Sequence, residues 1–108
     1  MVLVCIPPPT IMHKIIPDTI YILGILHTIV VRTFNDSDPD EADAVGLYKS
    51  DGRQILIDAG QPRHLHFEIF LHEVGEAINS ILDLNMKHYQ ICAMGVGYAD
   101  VLNQLEAG

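Results

Sequence analysis

The run His72-Glu73-Val74-Gly75-Glu76 holds the residues whose types and spacing could do chemistry. On an α-helix, residues four apart lie one above the other, so His72 and Glu76 present an imidazole nitrogen and a carboxylate oxygen side by side. Such a pair can grip a divalent cation, and zinc accepts both donor types. Glu73 falls next to that face, where a carboxylate can take a proton from water. A third donor must come from outside the run. His88 is the candidate, because a helix hairpin turning after Asp83-Leu84-Asn85 carries it back toward the first helix. Glu68 and Asp83 are the alternatives on the first helix itself, and with Asn79 they could also orient His72 through its second ring nitrogen.

The elements that must position these groups follow from the rest of the chain. With 108 residues there is room for one domain and one modest core. Residues 1–13, with Pro7-Pro8-Pro9 after an apolar start that has no basic segment, read as a disordered extension and not as a signal peptide. Residues 14–108 form the domain, and Met12 would serve as a start as well as Met1. Two apolar, β-branched runs around Gly24 predict an antiparallel hairpin over 19–34. Gly46-Leu47-Tyr48-Lys49 and Gln54-Ile55-Leu56-Ile57-Asp58, joined through Asp51-Gly52, predict a second. Between them, residues 35–43 form an acidic, proline-containing loop. Asp36, Asp38 and Asp40 have the spacing of half a calcium loop, but Glu41 stands where its glycine belongs, so a solvated loop is expected.

From about His64 the apolar period becomes helical. Phe67, Phe70, Leu71, Val74, Ala77, Ile78, Ile81 and Leu82 mark one amphipathic helix, and Ile91, Met94, Tyr98, Val101, Leu102 and Leu105 mark a second near 87–106. Gly95 and Gly97 weaken that second helix unless a close contact requires them. Strands followed by helices give an α+β fold: a small antiparallel sheet of two hairpins, then an active-site helix and a C-terminal helix.

Composition narrows the function. Six basic residues against fourteen acidic ones leave a net charge of −8, which excludes a phosphate-binding surface and hence nucleic acid. No apolar run approaches the ~20 residues that span a bilayer, so no membrane partner is expected. Cys5 and Cys92 form no metal knuckle and read as reduced thiols of a cytoplasmic protein, Cys92 as a small packing residue. His13, His27, His64 and His66 receive no role. Tyr98 falls at core spacing, although its hydroxyl could serve a developing oxyanion.

The segment Leu71-His-Glu-Val-Gly-Glu-Ala-Ile-Asn79, with Leu84-Asn-Met-Lys-His88 and Tyr98-Ala-Asp-Val-Leu102, resembles small phage-encoded zincin-like proteins, minimal relatives of the ImmA/IrrE metallopeptidases. The likeness extends over about residues 16–105 and is specific around 71–79. It implies a zincin-like domain with one Zn2+, His72 as first metal ligand and Glu73 as catalytic base. His88 matches a histidine of phage members bearing H-E-x-x-E-A. Glu76 stands where the commoner H-E-x-x-H members have histidine, so its ligand role rests on donor chemistry alone. The expected function is zinc-dependent hydrolysis of a protein or peptide such as a repressor, in a host-cell cytoplasm. The alternatives are an inactive zincin-like module that binds metal or a protein partner, and a purely structural factor.

Overall fold

The computed structural model describes residues 16–107; the expected 1–13 extension, with Cys5 and His13, lies outside them. Two hairpins come first. In the first, β1 (Thr19–Ile22) pairs antiparallel with β2 (Ile25–Arg32). Leu23 and Gly24, at φ 52° and 81°, make the two-residue turn, and two left-handed residues match the twist of the strands they join. In the second, β3 (Gly46–Lys49) pairs antiparallel with β4 (Gln54–Asp58) across residues 50–53. Its left-handed residue is Arg53, at φ 50°, rather than Gly52.

The hairpins join through a parallel pair, β2 with β4, so the sheet is mixed and has the order β1-β2-β4-β3. The expectation of a wholly antiparallel sheet is corrected on this point. The reason lies in two apolar triplets. Ile29-Val30-Val31 aligns with Ile55-Leu56-Ile57, and residues 55, 56 and 57 are all buried. A run of consecutive buried apolar residues suits an interior strand rather than an edge, and β4 has a strand on either side.

A 3-10 turn, Arg63–Leu65, leads into α1 (His66–Leu82), which lies on the sheet. Ile69, Phe70 and Ala77 of α1 close a core with Ile22, Ile29, Ile55 and Ile57. Asp83 ends α1 in the left-handed conformation, its N–H donating to the carbonyls of Asn79 and Ser80. The second helix, α2 (His88–Ala107), packs on α1 alone among the described elements.

The face α2 uses differs from its apolar period. Ile91, Gly95 and Ala99 turn inward, while Met94, Tyr98, Val101 and Leu105 remain exposed. Cys92 is an exposed free thiol, against the expectation of a packed one, and Tyr98 is not core. Small residues won because they let two helix backbones come close. A Cβ built on Gly95 would stand 3.4 Å from the N and Cα of His72, whereas one on Gly97 would meet nothing within 4 Å. Among the described residues no helix is long and apolar enough to cross a membrane.

Candidate metal centre

Helix α1 supplies His72 and Glu76 from successive turns, and the first residue of α2 supplies His88. One carboxylate oxygen joins all three. Glu76 Oε2 lies 3.2 Å from His72 Nε2 and 3.1 Å from His88 Nδ1. The two imidazoles meet edge to face, with ring centroids 4.7 Å apart. One donor atom from each residue falls within 4.8 Å of the others. Ligand atoms about 2.0–2.2 Å from a tetrahedral zinc stand about 3.3 Å from each other, close to both of these edges, which are also hydrogen-bond distances. The donor set fits as well, since two histidines and a glutamate form a known zinc set.

The hairpin connection explains why His88 arrives. Asn79 Oδ1 accepts the N–H of Met86 at 2.8 Å, which holds the chain two residues before His88. Gln90 Oε1 accepts the N–H of Lys87 at 2.8 Å and caps the start of α2. Asn79 therefore orients the connection rather than His72. Asp83 is spent as the left-handed end of α1, and neither it nor Glu68 belongs to the donor group. Burial lowers the pKa of His72, opposed by the Glu76 carboxylate and assisted by His88. The net direction favours the neutral ring that metal binding needs.

Glu73 faces the sheet rather than the solvent. It is 5% exposed, and its Oε2 lies 3.9 Å from His72 Nε2, beyond hydrogen-bonding reach. Desolvation pushes its pKa up to about 8, and the neighbouring Glu76 charge acts in the same direction. Gly46 of β3 makes the space: a Cβ there would fall 2.8 Å from Glu73 Oε2 and 2.7 Å from Ile69 Cγ2. Sequence reasoning passed over Gly46, although a glycine inside a strand is the usual mark of a close approach.

The other histidines stand elsewhere. His27 is buried, its Nδ1 donating to Ile25 O at 2.8 Å. Its Nε2 lies 3.1 Å from the Tyr48 hydroxyl, within hydrogen-bonding distance. His66 Nε2 donates to Gln61 O at 2.9 Å, and His64 is exposed.

The acidic loop also departs from expectation. Glu41 is only 4% exposed, and Arg32 forks onto it at 3.0 and 2.7 Å. The N–H of Asn35 adds a third bond at 2.7 Å. These partners, Arg32 first, push its pKa down to about 2. No protein-family model, curated protein or solved structure matches this chain.

Proposed function

We propose that the chain is a minimal zinc-dependent peptidase of the zincin-like, phage-encoded type that residues 71–79 resemble. The observation that carries this reading is the convergence of His72, Glu76 and His88 within 4.8 Å beside the buried Glu73. His72, Glu76 and His88 hold the ion. Zinc supplies Lewis acidity toward a water and a carbonyl oxygen. A cation held beside Glu73 would favour its ionised form, in which it takes the proton of the attacking water and returns it to the leaving amine nitrogen. The substrate is an extended segment of a protein, for which a repressor is the model. β3 ends the sheet at Gly46, next to Glu73, and an extended peptide can add to such an edge as a further strand. The exposed thiol of Cys92 suits a reducing cytoplasm.

The test is cleavage of casein or repressor peptides by zinc-loaded protein purified without a polyhistidine tag. Cleavage that Glu73→Gln abolishes while the zinc stays bound supports the reading. A rate unchanged in Glu73→Gln contradicts the mechanism. Zinc uptake with no cleavage of any substrate would leave a metal-binding module without catalysis.

A further inference from the structure

We infer that Gly75 is a positioning residue for the proposed metal centre, on whose zinc reading the inference rests: its missing side chain sets the α1–α2 spacing at which His88 reaches Glu76. His88 is the one donor contributed by α2, and it is well exposed. Since α2 packs on α1 alone among the described elements, the docking of the two helices fixes where His88 stands. Gly75 lies within that docking and faces α2. A Cβ there would fall 2.8 Å from Ile91 Cγ2. Ile91 is 3% exposed and sits three residues after His88, on the same side of α2.

The backbone does not require glycine at this position. Residue 75 lies inside a helix, and the one glycine with positive φ among the described residues is Gly24. Within a helix, glycine is less favourable than alanine, so its local cost must be offset elsewhere. Carbon atoms pack at about 3.5–4.0 Å, so an alanine at 75 must push Ile91 about 1 Å outward. A Cγ2 methyl is fixed to a branched Cβ and has no flexible end that could yield. Metal sites tolerate about 0.2 Å in their ligand distances, so the displacement at His88 exceeds what the centre can absorb. Gly97, on the same helix as Ile91, has open space around it and provides the matched control.

Zinc affinity, measured by competition with a chromophoric chelator, and the visible spectrum of the Co2+ form test this together. Gly75→Ala should weaken zinc at least about tenfold, the loss typical of a disturbed supporting contact, and should alter the Co2+ spectrum. Gly97→Ala should change neither. Ile91→Ala removes the offending methyl, so adding Gly75→Ala to that background should cost less than about threefold. The comparison within the Ile91→Ala background stands even if Gly75→Ala alone melts at a lower temperature. Wild-type affinity in Gly75→Ala, or an equal loss in both backgrounds, overturns the inference while the metal reading survives. A wild-type chain that takes up no zinc overturns both.

Discussion

The loop between β2 and β3 and the sheet-facing side of α1 each bury one glutamate, Glu41 and Glu73, to almost the same extent. Their acidities move in opposite directions, one down to about 2 and the other up to about 8. Desolvation pushes both upward and is the largest cause at Glu73, whereas at Glu41 the bonding partners outweigh it. Glu41 receives two guanidinium bonds and a backbone N–H, so its charge is matched where it sits. Glu73 has no Lys or Arg within ion-pair distance among the described residues, and His72 Nε2 stands 3.9 Å away. Its neighbour Glu76 adds a like charge. A carboxylate with a complete set of donors is a clamp, and one left short beside an imidazole is equipped to exchange a proton.

That contrast can be broken from either side. The largest effect belongs to Glu73→Gln, which keeps the shape and removes the base; peptide hydrolysis should fall by about 10²–10⁴. Retained zinc would confirm that only the proton transfer was lost. Next is His88→Ala, which should weaken zinc by more than about 100-fold, beyond the range for losing a mere supporting partner. Chelator competition reads it directly. Glu41→Gln should leave zinc affinity untouched and lower the melting temperature, because the Arg32 fork loses its charge partner.

The same pair predicts opposite pH slopes for the metal-free chain. Glu41 titrates below the ordinary 4.5, so its stabilisation is complete above that value and drains away as pH falls toward about 2. Glu73 titrates above 4.5, so its contribution is complete below that value and is lost as pH rises through about 8. Urea melts from pH 2 to 9 should lose the acid limb in Glu41→Gln and the decline from about pH 4.5 to about 8 in Glu73→Gln. The smallest effect is expected next door to the clamp. Asp40 is exposed, and Asp40→Asn should change stability by less than about 0.5 kcal/mol.

What could be read from sequence follows the range of the interactions. His72 and Glu76 are legible because four residues on a helix fix their geometry locally. Both hairpins are legible for the same reason, down to the turn at Gly24. The parallel β2–β4 pair is a long-range contact, and only the apolar run 55–57 hints at it. Glu41 looks like any residue of a solvated loop until Arg32 is known to stand over it. The working face of α2 was hidden because periodicity weighs large apolar residues, whereas this contact is made by Ile91, Gly95 and Ala99. Glu73 was assigned its chemistry from the motif, but its burial depends on Gly46, twenty-seven residues earlier and on another element.

The central claim is that His72, Glu76 and His88 form a metal centre. Elemental analysis of untagged, zinc-reconstituted protein tests it most directly, with His72→Ala and His88→Ala alongside. The account predicts about one zinc per wild-type chain and a sharp loss in both variants. Less than about a tenth of an equivalent in the wild type, or equal zinc in all three proteins, would contradict it.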